Sequence, residues 1–151
     1  MTAFRVLQID HVELFVPERY AAARWYEQVL GLQIVPESKQ WAAAGGPLMI
    51  SSDEGSTKLA LFEGQPTSAL PTAAFRRVAF RVTAQGFAEF LRNLPDLALL
   101  DSRRQLVTPQ SVVDHQQSYS IYFCDPDGHL LEVTTYDHDE TSELLATFRK
   151  P

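Results

Sequence analysis

The apolar and polar positions of Phe4–Val16 predict an opening strand. From Asp10 onward, His11, Glu13 and Phe15 fall on one side and Val12, Leu14 and Val16 on the other, which is the period of a strand. Pro17 closes it. The period then changes. Ala22, Trp25, Tyr26 and Val29 recur at helical spacing across Arg19–Leu30, an alanine-rich stretch that Gly31 is placed to cap. Leu32–Pro36 predicts a short strand, and Trp41–Ala44 reads as strand or loop. Leu48–Ser51 and Lys58–Glu63 predict a hairpin pair around the polar stretch Ser52–Ser56.

Gly64–Ala74 (GQPTSALPTAA) breaks all periodicity, and 65–74 is expected to be a linker between modules at about 5–64 and 75–135. Alternation resumes over Phe75–Thr83, with Arg77, Ala79 and Arg81 opposite Val78, Phe80 and Val82. A helix follows at Ala84–Leu94, striped by Phe87, Phe90, Leu91 and Leu94 and ended by Pro95. Leu97–Leu100 predicts a strand, and Gln105–Val113 a passage from loop to strand. Ser118–Tyr136 reads as two strands around the turn Asp125-Pro126-Asp127-Gly128. In the tail, 136–151, a short helix is expected with Thr141 or Ser142 as its cap.

The order strand, helix, strands occurs twice. His11–Val16 matches Arg77–Val82, and Leu59-Ala60-Leu61-Phe62 lies against Leu130-Leu131-Glu132-Val133. The predicted fold class is α+β: two βαβββ modules forming a curved mixed sheet around a cavity, with the helices outside. In this register His11, Leu61, Arg77 and Glu132 are equivalent. Three of these four are polar, in strands where apolar residues would cost less.

Composition narrows the function. The 151 residues suit one domain or two small modules, and 45% hydrophobic residues supply a core. A net charge of −6, with no basic run longer than Arg76-Arg77 or Arg103-Arg104, argues against nucleic acid as a partner. The single cysteine, Cys124, excludes an internal disulfide and reads as a small buried hydrophobe. No signal peptide and no membrane-spanning run is expected, so the expected setting is cytoplasmic. Neither GxGxxG nor a Walker A loop is present, so no nucleotide cofactor is indicated.

Three stretches carry a family resemblance: Ile9–Leu14 followed by Ala22–Leu32 (with Trp25-Tyr26-Glu27-Gln28-Val29-Leu30-Gly31-Leu32), Val78–Val82, and Tyr122–Glu132. Over about residues 5–135 the chain resembles the vicinal oxygen chelate superfamily, which contains glyoxalases, bleomycin and fosfomycin resistance proteins and extradiol dioxygenases. The resemblance implies paired βαβββ modules, a homodimer, and a divalent metal (iron, manganese, nickel or zinc) held by histidine, histidine and glutamate. His11 matches the first histidine and Glu132 the glutamate. Arg77 stands at the second histidine, and a guanidinium has no lone pair to give a cation. His11 is otherwise a strand histidine with a backbone or carboxylate partner. His115, with Asp114 placed to fix its tautomer, is either an exposed loop residue or, by resemblance, an acid or base near the substrate. His129 is expected in solvent. Arg77 pairs with Glu132 or offers two donors to a substrate carboxylate or phosphonate. Glu13, Arg81 and Tyr122 are further candidates for contact with a small, anionic ligand. Tyr119, Trp25 and Phe15 read as packing groups.

Two functions follow from the resemblance. One is a metal-assisted lyase, isomerase or dioxygenase acting on a small oxygenated substrate, with His115 and Glu132 catalytic. The other is a metal-free protein that binds or sequesters a small molecule, as the bleomycin resistance proteins do.

Overall fold

Strand β1 spans His11–Val16, so among the described residues the expected strand starts later, at His11; Leu14 and Val16 are buried and Glu13 exposed as the alternation predicts, but Val12, on the apolar side, is exposed as well. The computed structural model describes residues 7–65 and 77–149. The expected linker lies outside the described residues except for Gln65. The chain divides into two compact units, 1–69 and 70–151.

In the first unit, helix α1 (Arg19–Leu30) begins where the Glu18 carboxylate accepts from the amides of Tyr20 and Ala21, at 2.7 and 2.8 Å. It ends at Gly31, whose φ of 70° is one that a side chain would resist. Ala22, Ala23, Tyr26 and Val29 are its buried stripe. Strand β2 (Gln33–Ile34), helix α2 (Ser38–Ala43), β3 (Leu48–Ser51) and β4 (Lys58–Glu63) complete a sheet of order β1-β4-β3-β2, with β1 and β4 parallel.

Trp41–Ala44, read above as strand or loop, is corrected to the end of α2 and its cap. Buried Ser38 ties this short helix down by donating to the Val35 carbonyl and accepting from the Met49 amide. Arg19 then donates to the carbonyls of Ala42 and Gly46, at 2.8 and 2.6 Å. Long-range polar contacts of this kind leave no periodic trace in sequence.

The second unit repeats the plan with β5 (Arg77–Arg81), α3 (Ala84–Leu97), β6 (Val113–Asp114), β7 (Tyr119–Cys124), β8 (Leu130–Thr135) and α4 (His138–Ala146). The order is β5-β8-β7-β6, with β5 and β8 parallel. Phe87, Leu91 and Leu94 on α3 are buried with Ile121, Leu131 and Val133 of the sheet, and Phe90 packs against Phe123 with ring centroids 5.6 Å apart.

Three sequence expectations change here. Pro95 does not end α3; it sits exposed in the last turn, where a missing N–H forfeits a single bond, and the helix runs on to Leu97. The strand expected at Leu97–Leu100 reduces to Leu100, which bridges Leu106 and Cys124. Helix α4 starts before its expected caps: the hydroxyls of Thr141 and Ser142 donate back to the carbonyls of Asp137 and His138 inside the helix. The Asp137 carboxylate accepts instead from the Ala84 amide at the start of α3, at 3.1 Å.

The register also corrects the repeat. His11 pairs with Lys58 and Arg77 with Leu130, so Glu132 corresponds to Ala60 and not to Leu61. Leu61 is opposite Leu14, on the buried face; Ala60 is opposite Glu13.

Candidate functional site

Arg77, the first residue of β5, and Tyr122 of β7 reach the same sheet face because each is in phase with Glu132 of β8. Arg77 pairs with Leu130, two residues from Glu132, and Tyr122 pairs with Glu132 itself. The Arg77 guanidinium lies over the Tyr122 ring, 4.6 Å from its centroid. These two side chains, with Leu130 and Phe123, line a cleft of about 260 Å³ within the second unit. Asp101, Ser102, Val107 and Ser111 complete the lining. They come from a flap formed between α3 and β6. Its base is held by Val107 N–H to the Leu99 carbonyl, at 2.8 Å, and by Cys124 N–H to the Leu100 carbonyl, at 2.8 Å. At its tip the Asp101 carboxylate accepts from the amides of Arg103 and Gln105, at 2.8 and 2.9 Å. Arg104 there adopts a φ of 64°.

His115 belongs to the surroundings of this cleft. Its Nε2 is 2.9 Å from the Tyr122 hydroxyl, and the rings meet edge to face. The expectation that Asp114 fixes its tautomer is corrected. Asp114 closes β6 and its side chain points away from that of its neighbour, as successive strand residues do. Its Oδ1 is 2.8 Å from Nε2 of His138 instead. That contact, followed by the Gln116 amide, holds the Asp114 carboxyl below the usual range. His138 in turn stacks on the buried Tyr119 ring, 4.5 Å between centroids at 11°. His129, expected in solvent, is also corrected: its Nδ1 is 2.6 Å from Oδ2 of buried Asp125. Asp125 Oδ1 accepts from the amides of Asp127 and His129, so the turn is organised around a carboxylate that burial obliges to be paired. Burial, then the charges of Asp125 and Asp101, pushes the Cys124 thiol up. Arg81 lies toward the exposed Tyr136 ring, 5.3 Å from its centroid.

In the first unit His11 is half-exposed. Its Nδ1 is 2.8 Å from Asp10 Oδ2, and its Nε2 is 3.7 Å from Glu13 Oε1. Lys58 reaches the other Asp10 oxygen at 3.0 Å. His11 thus has the carboxylate partner that its simpler reading requires. In the second unit the Glu132 carboxylate accepts from the Ser120 hydroxyl at 2.7 Å. Among the described residues, no group of three or more His, Cys, Asp or Glu side chains could hold a metal ion. The donor chemistry agrees: the position of the second histidine carries a guanidinium, and the counterpart of Glu132 is alanine. The residues present do not fit the three-ligand metal centre of the family pattern.

The sequence profile of the Glyoxalase/Bleomycin resistance protein/Dioxygenase superfamily matches residues 8–133. The chain belongs to that superfamily. It is 30% identical over 126 residues to biphenyl-2,3-diol 1,2-dioxygenase 3 of Rhodococcus globerulus, a match covering 83% of this chain and 62% of that protein. The chain therefore spans less than two thirds of that relative's length. Among solved structures, a glyoxalase/dioxygenase from Nostoc punctiforme aligns with a TM-score of 0.63 at 20% identity, over 90% of this chain and 98% of that one. Oxidase ChaP-H2 aligns with a TM-score of 0.61 at 20% identity, over 87% and 94%. At this identity the two structures speak for the fold.

Within this superfamily frame, sequence reasoning names Arg77, Tyr122 and His115 but misses Asp101, Ser102, Val107 and Ser111. No periodicity marks them. They follow Leu100, which bridges Cys124 and so takes the place that Gln33, paired with Ser51, has in the first unit; the segment lining the cleft is irregular and carries no repeat of its own. The cleft can hold a small molecule against Val107, Leu130 and Phe123. Arg77 can donate two parallel hydrogen bonds there, and Tyr122, Ser102 and Ser111 offer hydroxyls.

Proposed function

We propose that this protein binds a small oxygenated molecule without a metal, in the manner of the drug-sequestering branch of its superfamily. The observation that carries the reading is Arg77: it stands at the second metal-histidine position, and its guanidinium stacks on Tyr122 in the cleft of the second unit. A fixed cation there takes over the role of a metal as the positive partner of an oxygen anion, while repelling any metal ion. Arg77 and Tyr122 are the ligand-binding residues, and His115 orients the Tyr122 hydroxyl. The protein is proposed to act as a homodimer, as the family resemblance implies, which sedimentation would check.

The test is elemental analysis of protein purified without chelator or metal-affinity tag, alongside ligand titrations with and without EDTA. We expect far less than one iron, manganese, nickel or zinc per chain, and binding indifferent to EDTA. Arg77→Gln is expected to weaken binding of a carboxylate ligand by about 10- to 100-fold, the range of a charge-assisted hydrogen bond. Because Arg77 is exposed, the melting temperature should hardly move. Near-stoichiometric metal that disappears in Glu132→Ala would reject this reading in favour of a metal-assisted lyase, isomerase or dioxygenase.

A further inference from the structure

His115 is held in position by its own turn. It follows β6 in the hairpin to β7, where its N–H donates to the Ser118 carbonyl at 2.9 Å. Asp114 braces the same turn: its Oδ1 accepts from the Gln116 amide at 2.7 Å and meets Nε2 of His138 on α4. With the backbone fixed in this way, the His115 ring meets Tyr122 edge to face, and its Nε2 lies 2.9 Å from the Tyr122 hydroxyl. His115 is exposed and is not part of the cleft's lining, whereas Tyr122 is half-buried and lines it. The histidine thus exchanges protons with water on one side and touches a cleft residue on the other.

What the Tyr122 hydroxyl can offer a ligand depends on which atom supplies the hydrogen in that contact. Neutral imidazole has two tautomers. With the proton on Nδ1, Nε2 accepts from Tyr122, and the phenolic oxygen is left to accept from a ligand. With the proton on Nε2, the phenolic oxygen accepts from His115, and the hydroxyl hydrogen is left for a ligand. The neutral pair therefore serves a donor or an acceptor. Protonated imidazole carries a hydrogen on both nitrogens, so Nε2 can only donate. The phenolic oxygen is then occupied, and Tyr122 can only donate. A ligand that brings nothing but a donor is left without its bond, and an unmade hydrogen bond in a half-buried place is costly. The charged groups around the pair are Arg77, over the Tyr122 ring and charged at any working pH, and Asp101 in the cleft lining. Asp114 is turned to His138, and Glu132 accepts from Ser120.

We infer that His115 sets the hydrogen-bonding specificity of the cleft through Tyr122: neutral His115 admits ligands that donate or accept, and protonated His115 admits acceptors alone. This rests on the reading of the cleft as the ligand site. His115 is then a positioning residue, and the choice it makes is between ligand classes. Val107, Phe123 and Leu130 suit a small planar apolar body, whose ring N–H or carbonyl would meet Tyr122.

The experiment uses the full chain and two bicyclic probes of similar shape: indole, which brings a donor, and 1-indanone, which brings an acceptor. Neither probe titrates between about pH 5.5 and 8, the span in which histidine ordinarily changes charge. Affinities come from calorimetry, the location of binding from amide chemical shifts, and the charge of His115 from its ring signals. Indole is expected to bind about tenfold more weakly once His115 is protonated, and 1-indanone to change by less than about twofold. By reciprocity, saturating indole should move the titration of His115 to lower pH, and 1-indanone should not. His115→Gln keeps an amide that can donate or accept but cannot titrate, so indole binding should lose its pH dependence. Tyr122→Phe should lose it too, while keeping the ring in the cleft wall. Indole affinity indifferent to the charge of His115, an equal loss for 1-indanone, a dependence that survives His115→Gln, or no saturable binding of either probe at millimolar concentration would each overturn the inference. In the first three cases, shifts that stay in the cleft and survive EDTA leave metal-free binding standing. Shifts that vanish with EDTA would mean that the underlying reading has failed.

Discussion

Arg77 and Cys124 illustrate what single side chains do here. Arg77 is legible in sequence because period-two alternation puts it on the same face as Arg81, and because a family pattern expects histidine there. Its stacking on Tyr122 is not legible, since it depends on which strand lies two places away in the sheet. Asp114 and His115 show the limit of neighbourhood reasoning. Adjacent in sequence, they point to opposite sides, and each finds a partner from another element: His138 for Asp114, Tyr122 for His115. Cys124 yields a prediction at this scale. Burial and the charges of Asp125 and Asp101 raise its pKa, so little thiolate forms at neutral pH. As the single cysteine of the chain, it should react with a disulfide reagent several-fold more slowly than a free thiol near pH 8, catching up only as the pH rises beyond the usual thiol range of about 8.5. Reaction at the free-thiol rate in folded protein would contradict this.

Elements in this chain are set by local signals and corrected by contacts between them. The helix period and Gly31 place α1 to the residue, whereas α3 outlasts Pro95 and α4 begins ahead of Thr141. In the last case Asp137 and His138 are engaged by other elements, Asp137 by the start of α3 and His138 by Asp114 and Tyr119. The His138 contact makes α4 acid-sensitive. The groups around His138 are Asp114, Asp139 (3.8 Å from Nδ1) and the Tyr119 ring. The carboxyl of Asp114 is held below its ordinary value of about 3.9, first by the hydrogen bond to His138. A depressed carboxyl contributes stability that is present above the unfolded value and is lost as pH falls through the folded one. Amide exchange in α4 should therefore accelerate as pH drops below about 4, after correction for the intrinsic rate. His138→Ala should show the faster exchange already at neutral pH. Exchange in α4 that stays constant down to pH 3 would contradict the assignment.

At the scale of the whole molecule, two sheets built on one plan carry separate buried faces. Phe87 is fully buried on α3, with Leu91 and Leu94 one and two turns on. Phe87→Ala should cost about 3–5 kcal/mol in denaturant unfolding, as emptied aromatic sites do, and a loss below about 1 kcal/mol would mean that the site collapses freely. No helix among the described residues is long and apolar enough to cross a membrane. The amino-acid sequence alone determined the repeated strand–helix–strands order, the polar and apolar faces of β5, the cap at Gly31, and the family. All of these rest on periodicities and local bonds that span a few residues. Tertiary structure decided the rest: the register that makes Ala60 the counterpart of Glu132, the partners of the histidines, and the flap that lines the same cleft as Arg77. Those depend on which distant backbones pair and where buried polar groups find donors, and neither quantity is written in the spacing of residues along the chain.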